Sequence, residues 1–151
     1  MNPSSEPFIG TNKYVTKNSY EFVQKIKKIK IGAHERMVSY DATALFPSVP
    51  ITEAIRVIRD LLIKDIHLSS RTKLSPDDIC ELISLCLSSS NLIYNDRHHI
   101  QNDSGPIGLS LMVCLSQIWM VHTMELAIKT AKDIGKTIPR LISIYMDDIW
   151  C

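Results

Sequence analysis

The sequence predicts an α+β domain, with several amphipathic helices and a few short strands. The 151 residues are 45% apolar and 22% charged, which is typical of one soluble globular domain. Apolar side chains recur at helical spacing in four segments of the chain. Two short apolar runs instead have the character of strands, and acidic residues follow both of them closely.

Charge and cysteine usage exclude several classes of protein. The formal net charge is +1, so binding to nucleic acid has to depend on a local basic surface. Residues 1–36 hold seven Lys or Arg and three Glu, and the remainder has an excess of acids. The four cysteines lack metal-ligand spacing, and we find no signal-peptide pattern and no apolar run long enough to cross a bilayer. We therefore expect an intracellular protein, nuclear or cytoplasmic, that is neither secreted nor bound to a membrane.

The helical segments can be placed from their periodicity and their end signals. Residues 1–18, with several Pro and Ser, are expected to form an extended entry segment. The first helix is predicted from Ser19, as its N-cap, to Gly32. The further predicted helices cover residues 52–66 with Thr52 as the cap, 76–88, and 109–132. Ser75 is a strong start for the helix over 76–88, because a proline and two acids follow it.

Two strands are predicted to deliver acidic residues. The first covers residues 36–41 and ends at Asp41. The second covers residues 141–145 and leads into Asp147 and Asp148. A separate small hairpin is predicted from residues 91–94 and 98–101.

The three acids, Asp41, Asp147 and Asp148, have two interpretations. Adjacent carboxylates repel each other and are costly beside an apolar core unless a cation neutralises them, which favours a divalent metal such as Mg²⁺. The alternative is a strand-ending acid and a solvated turn. Zinc at His98 and His99 is disfavoured, because adjacent residues of a strand point to opposite faces.

Three strings give these acids a context. They are YDATALFPSVP (residues 40–50), QNDSGPIGLSLM (residues 101–112) and YMDD (residues 145–148). Their order and spacing resemble motifs A, B and C of reverse transcriptases. The chain is most similar to the Penelope-like retroelement reverse transcriptases, and YVTKNSYEFVQKI (residues 14–26) resembles the fingers segment of that family. The resemblance covers about residues 10–150.

The resemblance implies a fold of fingers and palm, with an antiparallel palm sheet backed by helices. Residues 1–35 would be an N-terminal segment with a basic fingers helix, and residues 36–151 a partial fingers and palm with motifs A, B and C. In the family a primer-grip hairpin and a thumb follow motif C, and many members add a GIY-YIG nuclease domain. None of these follows Cys151, so we expect the sequence to be a fragment of such a protein.

By the same resemblance the parent protein is expected to be an RNA-directed DNA polymerase, a nucleotidyltransferase, and the 151-residue chain alone to be weak or inactive. Asp41, Asp147 and Asp148 would be its catalytic residues and would hold two Mg²⁺ ions, with Mn²⁺ as a substitute. Asp147 is expected to be the firmer ligand of the motif C pair. The partners implied are an RNA template, a DNA primer and a deoxynucleoside triphosphate.

The resemblance also implies a set of residues around the nucleotide. These are Ala42, Thr43, Ala44, Leu45, Phe46, Gln101, Ile107 and Gly108. The ring of Phe46 would exclude a 2′-hydroxyl, although it also suits an ordinary core position. Motif B departs from the family pattern, because Ser104 replaces its first glycine and residues 109–112 replace its Ser-Pro-Leu-Ser run.

Four lysines, Lys25, Lys27, Lys28 and Lys30, are expected to contact the phosphates of nucleic acid. The alternative is a solvated helix face.

A different class of function stays open beside the polymerase. The chain could be a truncated, inactive remnant with at most a role in binding RNA or a protein partner. The altered motif B favours this alternative, and retention of all three acids opposes it. A receiver domain built around Asp41 would need five alternating strands and helices, which the sequence lacks.

Overall fold

A computed structural model describes residues 12–88, 91–100 and 108–151. The helices are α1 (Ser19–Ile26), α2 (Leu45–Ser48), α3 (Ile51–Lys64), α4 (Leu68–Arg71), α5 (Pro76–Ser88) and α6 (Ser110–Asp133). The strands are β1 (Ser39–Asp41), β2 (Asn91–Tyr94), β3 (Arg97–Ile100), β4 (Ser143–Tyr145) and β5 (Asp148–Trp150). The predicted hairpin lies at β2 and β3, and its remaining residue, Gln101, falls outside the described residues.

The chain forms two compact units. The first is Ala44–Trp119, and the second combines residues 12–43 with Met120–Cys151. Helix α6 begins in the first unit and ends in the second.

The core of the first unit is built by α3, α5 and the beginning of α6. Its buried side chains are Val49, Ala54, Ile58, Cys80, Leu87, Met112 and Leu115. Burial raises the pKa of the Cys80 thiol, because the apolar surroundings disfavour the thiolate. Arg59 on α3 also bonds Asp77 on α5, with 2.6 Å between Nε and Oδ1.

The helix ends of the first unit follow from their capping residues. The prediction for α5 is confirmed: the Asp78 N–H donates to Ser75 Oγ at 3.1 Å, and Asp78 Oδ2 accepts the Ser75 N–H at 2.8 Å. The Ser75 hydroxyl also donates to Asp78 Oδ2 at 2.7 Å, and this bond together with the one from the Ser75 N–H lowers the pKa of Asp78. Helix α3 begins one residue earlier than predicted, because Pro50 and not Thr52 is its N-cap.

The second unit contains a three-stranded antiparallel sheet in the order β1-β5-β4. Since side chains alternate along a strand, Tyr40 shares a face with its cross-strand partner Ile149, and Ile144 lies opposite Ile149 on the other side. Met124 and Ile128 of α6 line a cavity of about 350 Å³ with Tyr40 and Ile149. This face is therefore apolar and lies against α6, and the acids of β1 and β5 lie on the other face.

The expectation that residues 1–18 are unpacked is wrong for the part that the structure describes. The Thr16 N–H donates to the Ile144 carbonyl at 2.9 Å, and the Ile144 N–H donates to the Tyr14 carbonyl at 2.7 Å. Val15 thereby forms a parallel bridge with Ile144, at the outer edge of β4. The segment Tyr14–Thr16 is defined here as the edge segment. Its pairing partner is distant in sequence, so local patterns did not indicate it.

Helix α1 also differs from the prediction at both ends. Asn18 is its N-cap and accepts the Glu21 N–H at 2.9 Å, and the helix ends at Ile26 rather than near Gly32. Three like charges within the next four residues would repel one another on a continued helix. Ile29 and Ile31 instead line a cavity in this unit.

Helix α6 is long and apolar enough to meet the length and composition test for a membrane-spanning helix, and no other described helix meets it. A central helix of a protein core passes the same test, and Met112 and Leu115 of α6 are fully buried in the first unit. The predicted absence of a membrane association stays a prediction.

Leu115→Ala is expected to lower the free energy of unfolding by about 3 kcal/mol, because the substitution leaves a cavity at a fully buried position. Urea unfolding followed by circular dichroism measures the change. The control is Leu82→Ala on α5, where the side chain is 48% exposed and the loss should stay below about 1 kcal/mol. Equal losses in the two variants would contradict this description of the core.

Candidate functional site

The acidic residues meet on the face of the second unit's sheet that is opposite to α6. In the register of β1 and β5, Asp41 lies opposite Asp148. In the register of β4 and β5, Tyr145 lies on the other side of Asp148. Cross-strand partners share a face, so Tyr145, Asp148 and Asp41 form one row, defined here as the acidic row. All three residues are exposed to solvent.

The hydrogen-bond pattern brings the backbones of Asp41 and Asp148 close together. Val38 and Cys151 exchange both of their backbone hydrogen bonds, at 2.8 and 3.0 Å. Hydrogen-bonded pairs alternate along an antiparallel ladder, so Asp41 and Asp148 form a non-hydrogen-bonded pair, in which the Cα atoms are about 4.5 Å apart. Like charges directly opposite each other destabilise a sheet. A bound cation would remove this repulsion.

The donor set of the acidic row fits Mg²⁺ in its chemistry. Mg²⁺ prefers oxygen ligands and is commonly held by one or two carboxylates together with phosphates of a substrate and water. Asp41 and Asp148 can supply two carboxylates on one face. Within the described ranges no group of three His, Cys, Asp or Glu residues is close enough to form a complete protein site. The geometry is therefore suited to a cation that shares its coordination with a substrate.

Asp147 lies in the two-residue turn between β4 and β5, after Met146. The carbonyl of Asp147 accepts the Ala42 N–H at 3.0 Å, which ties the turn to the end of β1. Met146 has a φ of 54°, in the left-handed region that side chains with a β-carbon disfavour. The register thus places Asp148, rather than the expected firmer ligand Asp147, directly opposite Asp41.

The residues expected around the nucleotide are only partly brought together. The Ala42 N–H is already bonded to Asp147, whereas the N–H groups of Thr43 and Ala44 donate to nothing among the described residues. Ala44 adopts φ 52° and ψ 48° as the N-cap of α2. Leu45 and Phe46 are partly buried against the core of the first unit.

Of the three motif B residues expected around the nucleotide, Gly108 is among the described residues. Gly108 has a φ of 100°, which requires a residue without a β-carbon. Gln101 and Ile107 lie outside the described residues.

The four lysines do not share one environment. Lys27, Lys28 and Lys30 are exposed and follow the end of α1. The ammonium of Lys25, on α1 itself, donates to the Val15 carbonyl at 3.0 Å and to Thr16 Oγ1 at 3.1 Å.

Lys25 also forms an ion pair with Glu21 at 3.1 Å. The pKa of Glu21 lies below its ordinary value, first because the Lys17 N–H donates to this carboxylate and then because of Lys25. Lys25 is therefore occupied by groups of its own unit.

Two buried hydroxyls and a ring contact lie next to the acidic row, and the sequence did not indicate them. Thr16 and Ser143 are 3% and 2% exposed, and their hydroxyls are in short contact. Phe22 of α1 contacts Trp150 of β5 with 5.5 Å between ring centroids. Trp150 is two residues from Asp148, so α1 lies against the same face as the acidic row. In the sequence, the buried hydroxyls were indicated only by their being small polar residues next to apolar strand residues.

No protein-family model, curated protein or solved structure matches this chain. A function for it can therefore be proposed only from its residues and its geometry.

Met146→Gly is expected to raise the free energy of unfolding by about 1 kcal/mol relative to Met146→Ala, because only glycine relieves the positive φ. Met146 is 44% exposed, and both variants remove the same side chain beyond the β-carbon. Urea unfolding of the two variants provides the comparison. An alanine variant as stable as the glycine variant would show that the turn carries no backbone strain.

Asp41→Asn is expected to raise the free energy of unfolding by about 0.5 kcal/mol without divalent cations, because it removes the repulsion from Asp148. Urea unfolding in a chelator measures the change, which should shrink as salt is added. Asp60→Asn, at an exposed position within α3, is the control and should show no gain. A loss of stability in Asp41→Asn would mean that its carboxylate is satisfied by protein groups.

Proposed function

We propose that this chain is the catalytic part of an RNA-directed DNA polymerase of the retroelement type. The single observation that carries the proposal is the cross-strand pair of Asp41 and Asp148, with Asp147 in the adjoining turn. Asp41 lies in the string that resembles motif A of reverse transcriptases, and Asp147 and Asp148 lie in the string that resembles motif C. Their exposure on one face leaves room for a metal, a triphosphate and a primer end.

Asp41 and Asp148 would hold Mg²⁺, and Asp147 would be a further metal ligand from the turn. Bound there, the metal supplies charge neutralisation for the attack of a primer 3′-hydroxyl on the α-phosphate and for the departure of pyrophosphate. The protein groups provide positioning, since phosphoryl transfer needs little acid or base chemistry from side chains. The bond from the Ala42 N–H to the Asp147 carbonyl keeps the turn beside β1.

The incoming nucleotide would be recognised by backbone and by one ring. The N–H groups of Thr43 and Ala44, which have no acceptor among the described residues, are suited to phosphate oxygens, because backbone donors in such loops bind anions whatever the side chain. Phe46 would select deoxynucleotides by excluding a 2′-hydroxyl. The template would be an RNA, with its phosphates contacted by Lys27, Lys28 and Lys30.

The second candidate is an inactive remnant that keeps the fold and binds RNA or a partner. One observation favours it: Ser104 replaces the first glycine of motif B, and residues 109–112 replace its Ser-Pro-Leu-Ser run.

Primer extension on an RNA template with Mg²⁺ or Mn²⁺ tests the proposal. We expect deoxynucleotide incorporation in the wild type and a loss of about 10-fold to 100-fold or more in Asp148→Asn and Asp147→Asn, since weaker perturbations of metal ligands already cost this much. Ribonucleotides should be poor substrates, and Phe46→Ala should improve their use.

Asp60→Asn, an exposed acid on α3, is the control and should retain the activity. Incorporation that survives in both Asp147→Asn and Asp148→Asn would refute the metal site. A folded wild type that binds RNA without incorporating nucleotides would instead support the remnant.

A further inference from the structure

Two hydroxyls are buried between the edge segment and β4. Thr16 belongs to the edge segment and Ser143 begins β4, and their side-chain oxygens are in short contact. Neither residue is more than 3% exposed. Buried hydroxyls require partners, so this pair is a specific cross-link between the two strands rather than an incidental contact.

Lys25 adds a third polar group to this pair. An ammonium group has three donors and no acceptor, so Thr16 Oγ1 accepts from Lys25 Nζ at 3.1 Å. Thr16 Oγ1 keeps its own proton and a second lone pair, so either hydroxyl can be the donor in the bond between Thr16 and Ser143. The contacts run from Lys25 through Thr16 to Ser143, and the charge of the ammonium strengthens the bond that it donates.

The cross-link is connected to the acids by strand β4. Ser143 and Trp150 face each other on the side of the sheet that carries the acidic row, one row away from Asp148. Strand β4 continues from Ser143 to Tyr145 and then to the turn with Asp147, whose carbonyl is bonded to Ala42 at 3.0 Å. A displacement of β4 would therefore move the turn relative to β1.

We propose that Lys25 is a positioning residue. Its ammonium acts through Thr16 and Ser143 to hold the turn that carries Asp147 in register with Asp41. The inference rests on the proposed function where it concerns the metal, and on the contacts alone where it concerns the turn. It separates Lys25 from Lys27, Lys28 and Lys30. The Lys25 side chain is only 27% exposed, and its three donors meet three acceptors of its own unit.

Amide hydrogen exchange of the whole chain tests the positioning directly. The two reporters are the Ile144 N–H, bonded to Tyr14, and the Ala42 N–H, bonded to Asp147. In Lys25→Met both should exchange about 10-fold faster, the equivalent of one hydrogen bond to a charged group. The matched control is Lys28→Met, from which both amides should keep their protection.

Thr16→Val and Thr16→Ser make the test independent of the lysine. Valine keeps the shape of threonine and removes the hydroxyl, so it should speed exchange at Ala42 as Lys25→Met does. Serine restores the hydroxyl and should restore the protection, which a mere packing role for Thr16 would not produce. This pair decides the matter if Lys25→Met does not fold. Unchanged protection of Ala42 in Thr16→Val would overturn the proposal.

Metal binding and RNA binding provide a second test, in which Lys25→Met and Lys28→Met are expected to have opposite effects. Mn²⁺ binding, followed by electron paramagnetic resonance, should weaken about 10-fold in Lys25→Met and stay unchanged in Lys28→Met. RNA affinity should lose about one unit of its salt slope in Lys28→Met and keep the slope in Lys25→Met. The reverse result would make Lys25 a phosphate contact and overturn the proposal.

The same experiment separates this inference from the proposed function. Mn²⁺ binding that survives in a double Asp41→Asn and Asp148→Asn variant would refute the metal site. The exchange of the Ala42 amide would still report on Lys25.

Discussion

The register between β1 and β5 is the constraint on which the candidate site depends. Side chains alternate along a strand, so a slip of one residue would turn Asp41 toward the apolar face and place Tyr40 beside Asp148. The paired backbone bonds of Val38 and Cys151 oppose such a slip. So does the position of Tyr40 on the apolar face, where it lines a cavity together with Met124 and Ile128 of α6. One register therefore both places the apolar side chains of the sheet on one face and places Asp41 opposite Asp148 on the other.

Two unfavourable features lie within a few residues of each other at this end of the sheet. Asp41 and Asp148 are like charges at a close cross-strand position, and Met146 has a positive φ where glycine would be relaxed. A two-residue hairpin turn requires a positive φ at one of its central residues, so the backbone of Met146 follows from the turn itself. The facing of two carboxylates does not follow from the turn. Unfavourable features that persist in a folded protein are typical of functional sites. The repulsion between Asp41 and Asp148 thus favours a site that a cation completes.

Local signals predicted the helices better than the contacts between distant segments. The bounds of α5 follow from Ser75, Pro76 and a regular apolar stripe, all of which are present in fourteen consecutive residues. The pairing of Thr16 with Ile144 joins segments far apart in the sequence, so nothing in either segment identifies the other. The position of Asp41 opposite Asp148 could be predicted only in part. The sequence indicated strands that end in acids, but it could not fix the register between them.

Lys25 shows where reasoning from charge alone fails. It lies among lysines in one basic run, and the sequence assigned all of them to the phosphates of nucleic acid. The contacts distinguish them, because Lys25 would have to leave Val15, Thr16 and Glu21 to reach a phosphate. Exchanging three internal acceptors for one external anion yields little net free energy. On the proposed function, attraction of nucleic acid therefore falls to the exposed lysines that follow α1, while the charge of Lys25 serves the order of the sheet beside the acids.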